Sequence, residues 1–118
     1  MKIKLACLMG SILLGLTATA VAGNYAFLGE SPIRYFNAQD WAMLSAAQQK
    51  ALDKTPDNVK VSWKNPKKNH QGYFIPENTT HKNGVTCRLL QIFSDAGGLK
   101  SLLHFEYCKI KGKWKIVR

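Results

Sequence analysis

The chain predicts an α+β domain in which an N-terminal helix packs on a curved antiparallel β meander of about five strands, with one disulfide. Three observations carry this expectation. Apolar residues recur at helical spacing between Trp41 and Leu52. Beyond Pro56 the pattern changes to alternation interrupted by short turn signals. Two cysteines, Cys87 and Cys108, lie downstream of a segment laid out like an export leader.

The leader sets the compartment. Lys2 and Lys4 precede an apolar run from Leu5 to Leu16, and small residues follow through Ala22. Small side chains at this point suit a signal peptidase. Two sites compete, after Ala20 and after Ala22, and the second is preferred. Residues 1–22 are then a signal peptide and Gly23 starts the mature chain. An uncleaved anchor helix is the alternative, but the apolar run is short for a membrane span of ~20 residues. Cys7 stands before the apolar run rather than after it, a poor position for lipidation. Its loss with the leader leaves Cys87 and Cys108 as an even pair. Disulfides persist in exported proteins, so a bridge is expected over two free buried thiols. Closing a loop of this size is worth roughly 3 kcal/mol in the chain-entropy model. A zinc site is not expected, because two cysteines are too few and His70, His81 and His104 show no ligand spacing.

Each element has a local reason. Residues 23–36 read as an N-terminal arm, with Gly29 and Pro32 among apolar residues, and residues 37–118 as the folded domain. Asn37 suits a helix N-cap, and Asp40 at N3 puts a carboxylate at the positive end of the helix. Trp41, Leu44, Ala47, Ala51 and Leu52 form the apolar face, with Trp41 expected as the anchor onto the sheet. Gln39, Gln48, Gln49 and Lys50 suit the wet side. The stretch Asp53-Lys54-Thr55-Pro56-Asp57-Asn58 ends the helix, since a residue before proline leaves the α region.

Val59, Val61 and Trp63 alternate with lysine and serine, which predicts a half-buried strand. A polar turn, residues 65–70, leads to a strand from Gln71 to Ile75, expected to stop at Pro76 where a donor is lost. Asn83-Gly84 signals a tight hairpin between Thr79-Thr80-His81 and Val85-Thr86-Cys87. Strands are then expected from Val85 to Phe93, from Leu99 to Ile110 and from Lys113 to Val117, with turns at residues 95–98 and at Lys111-Gly112. Trp63 and Trp114 are expected on buried strand faces.

These motifs, in order, resemble the C-terminal globular domain of the bacterial 17-kilodalton outer-membrane surface antigen family. The resemblance rests on the alanine-rich helix ending Lys50-Ala51-Leu52-Asp53, on Val61-Ser62-Trp63-Lys64-Asn65-Pro66 and on Gly72-Tyr73-Phe74-Ile75-Pro76. It continues through Gly84-Val85-Thr86-Cys87-Arg88, Tyr107-Cys108-Lys109 and Gly112-Lys113-Trp114-Lys115-Ile116-Val117. It implies an envelope location and carries no catalytic or binding residue with it. Family members often place a lipidated cysteine and a glycine-zipper segment before this domain. This sequence shows neither, which extends the expected locations from outer-membrane association to a soluble periplasmic or secreted form.

Charge supplies the candidate site. The net charge of +10 falls to +8 once Lys2 and Lys4 are removed. Lysines cluster at Lys60, Lys64, Lys67 and Lys68, and again at Lys109, Lys111, Lys113 and Lys115. Turn and exposed-face positions of this kind can merge into a basic surface that attracts anionic partners. In an envelope these are acidic glycans, lipopolysaccharide phosphates or lipid headgroups; a purely solubilising face is the plainer reading. Nucleic acid is not expected behind a leader. Ser94-Asp95, His81, His104 and Glu106 form no catalytic motif, so catalysis and cofactors are not expected. Lysines also define a bidentate site poorly beside arginine, of which only Arg34, Arg88 and Arg118 are available. Two functions of different class follow. One is a non-enzymatic, surface-antigen-like structural or interaction module of the envelope. The alternative is a secreted inhibitor or binder of a host or competitor enzyme, with the protein partner unknown.

Overall fold

The computed structural model describes residues 31–118. The expected leader, residues 1–22 with Cys7, and the arm up to residue 30 lie outside the described residues. A short 3-10 turn, Pro32–Tyr35, is followed by helix α1 (Ala38–Lys54). Five strands follow: β1 (Val61–Asn65), β2 (His70–Lys82), β3 (Val85–Ala96), β4 (Leu99–Ile110) and β5 (Lys113–Ile116). They form one curled antiparallel sheet in the order β1-β2-β3-β4-β5, so every strand pairs with its neighbour in sequence.

Helix α1 begins on a complete capping box. Asn37 accepts from the Asp40 amide, and the Asp40 carboxylate accepts from the Asn37 amide, both at 2.8 Å. Such a cap stabilises a helix by ~1 kcal/mol. Thr55, extended at the C-cap, ends the helix before Pro56. Leu44, Ala47, Ala51 and Leu52 face the sheet and join Val61, Trp63, Phe74, Leu90 and Tyr107 in the core. Burying side chains of the Leu and Phe size contributes ~1.5–3 kcal/mol each.

Trp41 is not the anchor its spacing predicts. It is 43% exposed. The capping box turns Asp40 inward, where it is fully buried, and the next residue along the helix is carried round to the flank. Trp41 meets Phe36, whose ring stands edge-on to both Trp41 and Trp63 at 5.3 Å each. Trp63 is buried as expected, lying against Gly72, where an added Cβ would strike the indole and the Phe93 carbonyl. Trp114 is half-buried, packed against the core rather than within it.

Strand β1 starts at Val61, leaving Val59 outside and exposed. Strand β2 does not stop at Pro76. It continues to Lys82, absorbing the separate Thr79–His81 segment through a register shift between Glu77 and Thr80. Proline is tolerated here because β1 has already ended, its first paired residue being Val61 opposite Phe74. The Pro76 carbonyl points to that vacated side and accepts from the Asn58 amide at 2.7 Å, so the missing proline donor costs no ladder bond. Strand β3 likewise runs past Phe93 to Ala96, shortening the expected four-residue turn to Gly97-Gly98. The Asn83-Gly84 turn has φ of 52° and 75°, the paired positive values that a two-residue hairpin of this hand requires.

The disulfide joins Cys87 to Cys108, residues directly opposite on β3 and β4 and 21 apart in sequence. The 3-10 turn packs on β3 and β4, with Pro32 buried and the Tyr35 ring against Gly97. The last residues of the expected arm thus belong to the folded domain.

Candidate functional site

The strand order sorts the lysines into two groups. Strands β1 and β5 are the opposite edges of the sheet. β1 pairs with the start of β2, and β5 with the end of β4. Lys60, Lys64, Lys67 and Lys68 therefore occupy one corner, and Lys109, Lys111, Lys113 and Lys115 the diagonally opposite corner in strand order. All eight are exposed. At the first corner Lys60 Nζ stands 4.2 Å from the centre of the Tyr73 ring, which stacks on Phe93 at 4.9 Å.

The second corner is the more developed. Trp114 on β5 lies opposite Lys109 on β4, and its indole Nε1 donates to Asp53 of α1 at 2.7 Å. Lys109 Nζ lies 5.8 Å from the indole centre and 3.8 Å from the same carboxylate. The ring is thus held by a strand, a helix and a cation together. It walls two adjoining clefts. One, of about 360 Å³, lies between α1 and the β4–β5 turn and presents Ser45, Gln48, Gln49, Tyr107 and Lys113. The other, of about 270 Å³, lies past the helix end and presents Asp53, Thr79, His81, Thr86, Arg88 and Lys109.

Polar side chains fix these walls. Gln48 Nε2 donates to the Tyr107 hydroxyl at 3.1 Å, and Gln49 Nε2 donates to Asp53 at 2.5 Å. Burial pushes the Tyr107 hydroxyl above its ordinary pKa, with the Gln48 bond opposing. The bond from Trp114, then that from Gln49, holds the Asp53 carboxyl below the ordinary range.

Behind the second cleft, Arg88 ties helix to sheet. Its side chain is buried, and Nη1 donates to the carbonyls of Ala51 and Leu52 at 2.9 Å each. Nη2 donates to the Thr55 carbonyl at 2.6 Å and to Asp57 at 3.0 Å, and Nε to the Thr79 hydroxyl at 2.8 Å. A cation here meets the free carbonyls and the negative end of the helix dipole. Asp57 is depressed by the hydroxyl and amide of Thr79, then by Arg88.

The other end of the helix is tied by Asp40. Its carboxylate takes hydrogen bonds from Asn65 Nδ2 and His70 Nδ1, both at 2.8 Å. Burial acts to raise its pKa, but the bonds from Asn37, His70 and Asn65 outweigh it and the net shift is downward.

The residues weighed for catalysis are scattered. Ser94 is buried on the helix-facing side, while its neighbour Asp95 accepts from Gln71. His81 meets Thr86, His104 is exposed, and Glu106 pairs with Arg118 at 3.0 Å. Among the described residues no group of three or more His, Cys, Asp or Glu is placed to hold a metal ion. No described helix is long and apolar enough to cross a membrane.

Sequence reasoning overlooked Arg88, Gln48 and Gln49. Arg88 carried a signal, since it shares the strand phase of Leu90 and Ile92 and so faces inward with them. The glutamines carried none; only the closing of β5 over the helix turns a wet helix face into a cleft.

No protein-family model matches the chain. It is similar to the 17 kDa surface antigen of Rickettsia felis, with 32% identity over 82 residues, 67% of this chain and 51% of the relative. The chain thus spans about half the length of the curated relative it matches. No solved structure matches. The likeness supports a surface-antigen-like family.

Proposed function

We propose that this protein is an exported, surface-antigen-like interaction module that binds anionic envelope components without catalysing a reaction. The likeness to a surface antigen supports the envelope setting. The observation that carries the binding role is the corner holding Lys109, Lys111, Lys113 and Lys115 beside the clefts of Trp114. Clustered exposed cations there raise the local concentration of anions and speed their encounter. Lipid phosphates and acidic glycans are the envelope groups of matching charge.

The non-catalytic part rests on the chemistry of the carboxylates. Asp53 at the cleft, Asp57 behind it beside Arg88, and Asp40 at the far end of the helix are all committed to structural hydrogen bonds. Each is held below the ordinary carboxyl range, which is the wrong direction for a general acid at neutral pH.

Cosedimentation with purified envelopes across a salt series tests the reading. Exposed charges are screened over ~8 Å at physiological ionic strength, so binding should weaken steadily as salt rises. Single lysine substitutions should each do little, and reversal of Lys109, Lys111, Lys113 and Lys115 together should abolish retention. Retention indifferent to both salt and the fourfold reversal would leave a shaped protein-binding surface, and so the inhibitor reading, as the better account.

A further inference from the structure

The Trp114 groove is built in a way that a simple charged patch does not need. We propose that it is a saccharide-binding site for an acidic sugar unit, one bearing a carboxylate or a phosphate. The ring of the sugar lies on the indole of Trp114, its hydroxyls bond to Gln48, Gln49 and Ser45, and Lys109 and Lys113 meet the acid group. This deepens the anion-binding reading and rests on it.

Four observations carry it. First, the indole is preorganised. Nε1 is spent on Asp53 at 2.7 Å, which holds the ring in one orientation, and a platform already held loses less entropy on binding. The hydrogen-bonding edge is turned to the protein and Lys109 stands over one face at 5.8 Å from the ring centre, which leaves the opposite face of the half-buried ring for a ligand. An apolar face suits the C–H face of a pyranose.

Second, the wall facing the ring offers both donors and acceptors. Each glutamine uses an Nε2 bond within the protein, to Tyr107 and Asp53, and each retains its carbonyl oxygen and a second N–H. Ser45 adds a hydroxyl on the same wall. A polyol needs this mixture, whereas an inorganic anion has no use for an acceptor.

Third, the charge is one-sided where it matters. The cleft of about 360 Å³ is lined by Lys113 and by no carboxylate. In the adjoining cleft the one exposed carboxylate, Asp53, is already matched by Trp114, Gln49 and Lys109.

Fourth, the two clefts adjoin through the same indole and have the scale of one or two sugar units rather than of a protein epitope. The lysine corner at β1 has an aromatic pair as well, but Tyr73 already carries Lys60 over one side and Phe93 stacked on the other.

The test uses the purified protein and three probes: a short oligogalacturonate, a neutral malto-oligosaccharide and inorganic polyphosphate. Affinities are measured by titration, and the Trp114 indole N–H resonance, assigned with Trp114→Phe, reports where the ligand sits. The oligogalacturonate should move that resonance. Trp114→Ala should weaken its binding by about tenfold or more, the scale of a central aromatic contact. Trp114→Phe keeps a stacking ring and should lose less. Polyphosphate binding should be insensitive to either change and should respond instead to the combined reversal of Lys109, Lys111, Lys113 and Lys115. Lys109→Gln with Lys113→Gln should bring the acidic oligosaccharide down to the affinity of the neutral one. Thermal melts of each variant separate lost binding from lost folding.

If polyphosphate and oligogalacturonate bind alike and Trp114→Ala alters neither, the saccharide site is wrong while the general electrostatic reading stands. If the neutral sugar binds as tightly as the acidic one, the acid-recognising role of the lysines is wrong. If no probe binds, both readings fall together.

Discussion

Arg88 Nη1 donates to the carbonyl oxygen of Ala51 at 2.9 Å, so a strand side chain closes a helix end 37 residues earlier in the sequence. With the bonds to Leu52, Thr55, Asp57 and Thr79, the guanidinium spends all its donor directions inside the protein. Removing it would leave buried carbonyls and the Asp57 carboxylate without their partner. Arg88→Ala should therefore destabilise the fold by about 3–5 kcal/mol. Arg88→Lys should recover only a part, because one ammonium cannot span carbonyls on one side and a hydroxyl on the other. Denaturant midpoints for the two variants decide it; a wild-type midpoint for Arg88→Ala would show that the helix end does not depend on this residue.

The three tryptophans should separate in stability. Trp63 is buried, and Trp63→Ala should cost roughly 3–5 kcal/mol. Trp114 is half-buried with one structural hydrogen bond, and its truncation should cost less. Trp41 is 43% exposed and its ring contact is with the half-buried Phe36, so Trp41→Ala should cost least. Thermal or denaturant unfolding gives the order. A Trp41→Ala loss equal to that of Trp63→Ala would mean that the Phe36 contact carries far more than its exposed geometry implies.

Reduction of the Cys87–Cys108 bridge should lower stability by roughly 3 kcal/mol without changing the fold, because the link closes a modest loop between strands that already pair. Intact mass before and after reductant, read beside the unfolding midpoint, checks both halves. Two free thiols in the native protein would contradict the bridge.

Acid should destabilise the protein through Asp40, Asp53 and Asp57. All three are depressed in the folded state. A depressed carboxyl contributes stability that is complete above its unfolded value, about 3.9, and is lost as pH falls through its folded value. Stability should therefore be flat from neutral pH down to the ordinary carboxyl range and fall below it. Asp57→Asn should lower stability at neutral pH, where Arg88 loses its ionic partner, and flatten the acid limb. An acid limb of the same steepness in that variant would assign the effect to the other carboxylates.

The helix, its cap and the meander were legible because each rests on local chemistry: a side chain bonding an amide three residues away, an alternation of two, a glycine after asparagine; the bridge was legible from the leader and the even cysteine count. What escaped depends on what the chain meets at a distance. Pro76 reads as a strand end unless β1 is known to have stopped before it. Trp41 reads as core unless Asp40 is known to be drawn inward by Asn65 and His70, residues 25 and 30 positions away. The candidate site was half visible. Its lysines stood out by composition, but their division between opposite edges follows from strand order. The groove of Trp114 forms only where the last strand reaches back to the helix.

Because each strand is joined to the next by a tight reversal, the sheet has no crossover to wait for. Hairpin can be added to hairpin as the chain becomes available, with few long-range closures to delay the search. The long-range closures that remain are those that seat α1, whose two ends are claimed by Asp40 with His70 and by Arg88 with Ala51, and these are expected last. Assembly of this protein should thus be quick in its zippering phase, with the seating of one helix as its checkpoint.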